Sequence, residues 1–398
     1  MNNSSKIREL IERFCPDGVE FNSLGEVADY VRGVTYGKSQ EIQSGDGFKI
    51  LRANNIRLSS NTLNFNDVKM ISRDARVRDD QRLKAGDILI SVASGSRAHV
   101  GKVAFVKEDL DYYFGGFMAA IRPYKQINSR FLFHLLVGDH FARYLENNLA
   151  STTINNLNTS IMNAFIIPIP PLEIQNEIVR VLDSFTELEA ELEAELEARK
   201  RQYEHYRSEI LVLNADLQWV ALGEVCDISI GQAPDKSSPV GTNSFPFINA
   251  GNEPSGYLPE KNSLAETITI PSRGQGGAGH VGYQKTDFWC GPLCYRIRSR
   301  KEDLLTKYVY YYLKNIQTAI IGLRQTGSIP AVNKKELTLV RIPIPPLSEQ
   351  ERIVGILDKF DVLVNDIAVG LPAELVARRK QYEYYRGKLM TFKKYAAD

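Results

Sequence analysis

The chain has 398 residues, 43% of them hydrophobic and 24% charged, with a formal net charge of +1. That length suggests two or three domains, and the composition excludes a largely disordered chain. No run approaches the roughly 18 apolar residues of a membrane span, and Met1–Leu10 lacks the apolar core of a signal peptide, so the cytoplasm is the expected address. Cys15, Cys226, Cys290 and Cys294 make no disulfide scaffold, and free thiols are expected.

Charge is unevenly spread. Residues 1–166 carry 21 basic and 18 acidic groups, and residues 216–341 carry 14 and 11. The segment between them, 167–215, carries 5 basic and 11 acidic groups. Two mildly basic blocks therefore flank an acidic one, which by itself is only a weak pull toward a polyanion.

In chain order, Ile7–Phe14 reads as a short helical piece leading into Leu24-Gly25-Glu26-Val27. Short or alternating apolar runs follow at Phe48–Leu51, Asp87–Val92, Lys102–Val106 and Phe117–Ile121, near Gly- or Asn-rich turns, which is the pattern of strands. Two polar loops follow strands in this block, Arg52-Ala53-Asn54-Asn55-Ile56-Arg57 and Ser94-Gly95-Ser96-Arg97-Ala98-His99. A helical pattern over Arg130–Asn147 closes it, with His134 on the apolar face as a packing residue. Residues 1–166 thus predict a mixed α+β domain.

Pro168, Pro170 and Pro171 cannot sit inside a helix and mark the start of one within 167–215. Ile178, Leu182, Phe185, Leu188, Leu192, Leu196, Tyr203 and Tyr206 recur in steps of three and four and predict one apolar stripe. Three tandem Glu-Leu-Glu-Ala units fill residues 187–198 with strong helix formers.

Residues 216–341 repeat the plan of the first block. Leu222-Gly223-Glu224-Val225 repeats the earlier tetrapeptide, and strands are predicted at Phe245–Ile248, Thr267–Ile270 and Leu293–Ile297. Loops Asn249-Ala250-Gly251-Asn252 and Arg273-Gly274-Gln275 occupy comparable places, and Leu304–Ile321 is helical in pattern. Residues 342–398 repeat the helix. Ile342–Leu347 copies Ile167–Leu172 175 residues later, and at the same offset Gln175 and Asp183 meet Gln350 and Asp358. Arg201–Arg207 returns as Lys380–Arg386. The second stripe comprises Ile353, Leu357, Phe360, Leu375, Tyr382 and Tyr385, and Gly370-Leu371-Pro372 predicts a kink or break. Two similar narrow-seamed helices are expected to pair antiparallel, as an intramolecular coiled coil with pseudo-two-fold symmetry.

Catalytic signatures are missing. Gly274–Gly279 satisfies G-x-G-x-x-G, but that fingerprint needs a helix after it, and Val281-Gly282-Tyr283-Gln284 continues as strand or loop. A flexible hairpin loop is the preferred reading. There is no N-P-P-F or D-P-P-Y methyltransferase motif, no phosphate-binding G-x-x-x-x-G-K-[ST] loop, and no zinc spacing around Cys290 and Cys294. No catalytic residue and no metal ligand is expected. The polar loops carry nucleic-acid-reading side chains instead: Arg suits guanine edges, Asn and Gln suit adenine, and Gly lets backbone approach phosphate. The candidate DNA contacts are Tyr36, Lys38, Arg52, Asn54, Asn55, Arg57, Ser94, Ser96, Arg97 and His99 in the first block. In the second they are Asn249, Asn252, Arg273, Gln275, His280, Lys285 and Arg324.

Variable block, I-P-I-P-P-L, long helix ending in R-Q-Y-E-H-Y-R, and the whole repeated: this resembles the specificity subunits of type I restriction-modification systems, over essentially the whole chain. The resemblance implies two target recognition domains, 1–166 and 216–341, each reading half of a split site in double-stranded DNA. It implies that the helices of 167–215 and 342–398 set the half-site distance and dock two modification (methyltransferase) subunits, which restriction subunits join. S-adenosylmethionine, ATP and Mg2+ are then expected in the partner subunits, with no cofactor in this one, no membrane, and a bacterial or archaeal cytoplasm. The shared ending before L-G-E-V also places the C-terminal helix beside the N-terminus, a nearly circular layout. The residues alone leave open a two-headed coiled-coil adaptor without DNA specificity, or a nucleotide-dependent catalyst using Gly274–Gly279.

Overall fold

A computed structural model describes residues 3–58, 60–93, 99–149, 156–211, 217–234, 245–251, 253–274, 277–324, 330–366 and 369–395. The chain divides into two units, Met1–Glu191 with Val376–Asp398, and Leu192–Leu375. Each unit holds one mixed head and a share of the long helices.

In the first head, the strands Ala28–Arg32, Met118–Pro123, Ile88–Ser91 and Val103–Phe105 lie side by side in that order, all antiparallel. Successive side chains of a strand face opposite ways, and here both faces are covered. Ile88, Ile90, Ala119 and Ile121 enter the core beneath the helix Ser129–Val137. Leu89, Ala104, Met118 and Ala120 enter a second core with Leu51 and Phe114. Double coverage is why Ile88-Leu89-Ile90 is continuously apolar rather than alternating. A second sheet follows, of order Tyr113–Phe114, Gly47–Leu51, Lys69–Ser72, Glu41–Ile42.

The second head repeats this plan. Cys226–Ile230, Cys294–Ser299, Thr267–Pro271 and Gly282–Gln284 form the equivalent sheet, and Tyr257–Leu258, Phe245–Ile248 and Trp289–Cys290 form a smaller one. The repeated glycine of L-G-E-V has one cause in both heads. A Cβ on Gly25 would lie 2.9 Å from the Asn163 side chain, and one on Gly223 would lie 2.8 Å from that of Thr338. Only glycine lets the short helices Leu24–Val27 and Leu222–Val225 seat there. The predicted helical runs at the end of each block are both split in two, as Ser129–Val137 with Asp139–Leu149, and Thr306–Asn315 with Gln317–Gly322.

The first long helix runs over the 40 residues Leu172–Leu211 and begins directly after the prolines. The predicted kink in its second copy is a full break: one helix ends at Asn365 and the next starts at Leu371. Gly370 turns there because a Cβ would stand 2.4 Å from the Val362 carbonyl oxygen, and Pro372 falls in a first turn where its missing N–H costs nothing. Within the first unit the helices run antiparallel, since Phe185 stacks on Tyr385 with ring centroids 5.4 Å apart while the later Glu189 pairs with the earlier Arg379. Within the second unit Phe360 stacks on Tyr203 and Tyr206, at 6.2 and 5.7 Å.

Ile178, Leu182, Ile353 and Leu357 are fully buried, as the stripe requires, while Leu192, Leu196, Leu375 and Tyr382 are half-buried. Two stripe members are corrected: Leu188 is 44% exposed and Tyr206 is 38% exposed despite its stacking. Leucines spaced by four on a 3.6-residue turn drift about 40° per step, so the Glu-Leu-Glu-Ala units cannot all stay on one seam.

Each head is fastened to its helix by the polar residues that recur at the 175 offset. Gln175, buried within the first turn of the long helix, accepts from the Asn128 amide (2.7 Å) and donates to the carbonyls of Gln126 (3.2 Å) and Pro170 (2.7 Å). Gln350 accepts from the Leu305 amide (2.9 Å) and donates to the carbonyls of Asp303 and Pro345 (2.9 Å each). About two turns on in each helix, Asp183 receives Arg130 (2.7 Å) and His134 (2.9 Å), and Asp358 receives Lys307 (2.8 Å) and Tyr311 (2.5 Å).

His134 is wholly buried, and burial holds it below its ordinary 6.5 although Asp183 pulls the other way. As a neutral ring it donates from Nε2 to Asp183 and accepts at Nδ1 from the Tyr382 hydroxyl (2.9 Å). Below 6.5 the unfolded chain takes up a proton that the folded His134 refuses, so stability of the first unit falls as pH drops through that value. Thermal unfolding measured from pH 7.5 to 5 is expected to show this slope, and a His134→Gln variant is expected to lose it.

The chain's two end segments also meet as expected, inside the first unit. The Val19 amide donates to the Lys393 carbonyl and the Tyr395 amide to that of Val19, both at 2.9 Å. Among the described residues no helix is long and apolar enough to cross a membrane.

Candidate nucleic-acid interface

The polar loops of the two heads leave equivalent strands at equivalent residues. Leu51 pairs in parallel with Phe114, and Ile248 pairs in parallel with Cys290, so Arg52 and Asn249 open matching loops. Ser91 lies opposite Met118, and Pro271 lies opposite Cys294. Two residues on, Ala93 bridges Asn156 and Arg273 bridges Ala331. The next amides, Leu157 and Val332, donate to the carbonyls of Val92 (2.7 Å) and Ser272 (2.9 Å).

In the second head the two loops touch. A Cβ on Gly277 would lie 2.1 Å from the Ala250 carbonyl oxygen, and one on Gly274 would lie 3.0 Å from it. The glycines are therefore needed for loop-on-loop packing, and no helix follows them. The chain continues into the strand Gly282–Gln284, which removes the structural basis for a dinucleotide site. Arg324 donates from Nε to the Ala278 carbonyl (2.7 Å), which joins it to the same cluster. His280 is held below its ordinary value by burial, with Arg324 and Lys314 adding to the effect. Arg273 is exposed. Asn249 spends its carbonyl oxygen on the Leu293 amide (3.0 Å). Lys285 is largely exposed and pairs with Asp361 of the shared helix at 3.6 Å.

In the first head Arg52 and Asn54 converge on one carboxylate, Asp67, at 2.8 and 2.7 Å. Asn55 is a correction, since it is wholly buried and consumed by the fold. It accepts from the Arg52 amide (2.8 Å) and donates to the carbonyls of Asn64 (2.8 Å) and Asp67 (3.0 Å). A tight turn over Ala53–Asn55 leaves backbone groups that need such a partner, and Asn is suited to supply it. Lys38, Arg57 and His99 are exposed, and Tyr36 is half-buried, its hydroxyl pushed up by burial. Ser94, Ser96, Arg97, Asn252 and Gln275 lie outside the described residues.

Sequence reasoning missed Phe117. Read as the start of a strand, it lies before one, which begins at Met118, and its ring is 72% exposed. The signal was the preceding Gly115-Gly116, which marks a turn. The Cys290 and Cys294 thiols are buried and free, and among the described residues no cluster could hold a metal ion.

A family model described as the type I restriction modification DNA specificity domain matches twice, over residues 16–198 and 214–377. A putative type I restriction enzyme specificity subunit of Haemophilus influenzae is 32% identical over 291 residues, covering 67% of this chain and 73% of that one. The EcoR124I/EcoR124II specificity subunit of Escherichia coli is 35% identical over 258 residues, 57% of this chain and 63% of that one. The crystal structure of the S subunit of a type I system from M. genitalium shares the fold, with a TM-score of 0.60 at 16% identity over 94% of this chain and 96% of that one. A chain solved in work on assembly and conformational transition of the type I system gives 0.61 at 22% identity, over 94% and 98%. Two copies of one domain, alike in where their polar loops leave the strands and each followed by long helical segments, agree with these likenesses, and the chain belongs to the specificity subunits of type I restriction-modification systems.

Proposed function

We propose that this chain reads a split site in double-stranded DNA, one half-site per head, and performs no chemistry itself. The observation that carries the reading is that two polar loops leave matching strand ends at matching residues in both heads. The loops differ in content, Arg52 standing where the other head has Asn249, so the two half-sites differ in sequence. In this reading the long helices space the half-sites and dock two modification subunits, and restriction subunits complete the complex. S-adenosylmethionine, ATP and Mg2+ belong to those partners, in the cytoplasm of a bacterium or archaeon. The names of the relatives support this reading, and so does the complex-assembly context of one structural neighbour.

A net charge of +1 gives the isolated chain little electrostatic hold on phosphates, so DNA affinity is expected to rise strongly once the modification subunits join. The decisive experiment is co-expression with the neighbouring modification subunit and mapping of methylated bases across the host genome. A split motif that depends on this chain is expected, and exchanging residues 1–166 should change one half-site only. A stable complex without new methylation would favour the two-headed adaptor.

A further inference from the structure

The turn Gly115-Gly116-Phe117 lies between the two polar loops of the first head and is tied to both. The Gly115 amide donates to the Leu51 carbonyl (2.9 Å), one residue before Arg52. The Phe117 carbonyl accepts from the amides of Val92 (2.9 Å) and Ala93 (3.4 Å), which open the other loop. The turn has little slack, since a Cβ on Gly116 would lie 3.1 Å from the Thr35 hydroxyl. Gly33 packs closer still, its Cβ position only 2.1 Å from the Gly115 carbonyl oxygen.

Phe117 stands 72% exposed on this braced turn, against 44% for the next most exposed phenylalanine, Phe65. Single exposed apolar residues are ordinary on protein surfaces. This one is distinguished by its place, on backbone stitched to both candidate reading loops. The matching turn of the second head is Gly291-Pro292-Leu293, and Leu293 is half-buried. The Leu293 carbonyl accepts from the Ser272 amide (2.8 Å), as that of Phe117 does from Val92. The heads are therefore built alike here and differ in whether an aromatic ring projects.

We propose that Phe117 is a wedge that inserts its ring against an opened base step in the half-site read by the first head. This rests on the reading of the heads as DNA readers. A phenyl ring offers no hydrogen bond and cannot read a base edge; it gains by leaving water and by stacking on the faces of bases that have come apart. Steps that unstack cheaply, pyrimidine–purine steps above all, favour such a ring. Phe117 thereby adds selection by deformability to the hydrogen-bond readout of the loops.

The test uses the full chain in complex with its modification subunits, and half-sites identified by methylation mapping. Duplexes carry 2-aminopurine at successive steps away from the bases to be methylated. The wild-type complex is expected to change the fluorescence at one step of the first head's half-site and at none in the other. Phe117→Ala, at a side chain too exposed to hold the fold, is expected to abolish that change and weaken binding about tenfold or more, while Phe117→Trp keeps both. If wild type binds specifically but Phe117→Ala stays within about twofold of it and retains the fluorescent step, the wedge is overturned and the reading of the heads stands. Weakened binding by Phe117→Ala with no fluorescent step in wild type also overturns it, in favour of a surface contact. A wild-type complex without sequence preference removes the DNA-reading function, and the wedge with it.

Discussion

Deleting one Glu-Leu-Glu-Ala unit, residues 187–190, is expected to move methylation to a site whose unread gap is shorter by about one or two base pairs, with both half-sites unchanged. Four helical residues span about 6 Å, and successive base pairs about 3.4 Å. The helix is unbroken over Leu172–Leu211, so no loop within it can absorb the loss. The tandem repeat protects local chemistry. After the deletion another glutamate occupies the place of Glu189 opposite Arg379, and the apolar stripe turns by only about 40°. Inserting a fourth unit should lengthen the gap by the same amount. Genome-wide methylation mapping reads both variants directly. Equal methylation at the original spacing by the deletion variant would show that the helix is no ruler.

Gln175→Leu is expected to destabilise the first unit by about 3 kcal/mol or more, from one buried and two part-buried polar groups losing their partners, at about 1–3 kcal/mol for a fully buried one. Those groups are the Asn128 amide and the carbonyls of Gln126 and Pro170. Leucine fills similar space, so the loss reports unmet hydrogen bonds rather than a cavity. A loss of that size is a large part of a typical folding free energy. Gln350→Leu should act in the same way on the second unit. Hydrogen exchange resolved by peptide should show each variant losing protection in its own head first. A Gln175→Leu chain with protection like the wild type would mean that the head is held by apolar packing alone.

The long helices, the strands and the duplication were legible because their signals are local or periodic. Apolar stripes, proline boundaries and the 175-residue offset need no knowledge of the partner. What the sequence hid depends on contacts between distant residues. Gln175 and Gln350 stood out as a repeated pair, but their partners lie 47–49 and 45–47 residues away, apart from one carbonyl each. Asn55 resembled a base-reading side chain because an exposed and a buried asparagine look alike in a polar loop, and only its bonds to Asn64 and Asp67 separate the two cases. Leu188 fell off the stripe because steps of four and steps of 3.6 agree over one turn and part over three. Phe117 was absorbed into the strand pattern that it precedes.

The hydrogen bonds that Gln175 and Gln350 make to their heads all go to main-chain atoms. Every residue brings the same carbonyl, and every residue except proline the same amide, so these two clamps place almost no demand on which side chains a head displays. A head can exchange the side chains of its loops without disturbing either clamp. Novelty in target choice can then accumulate without renegotiating the fold. The glutamine clamps are blind to meaning, and that blindness leaves the loops free to diverge.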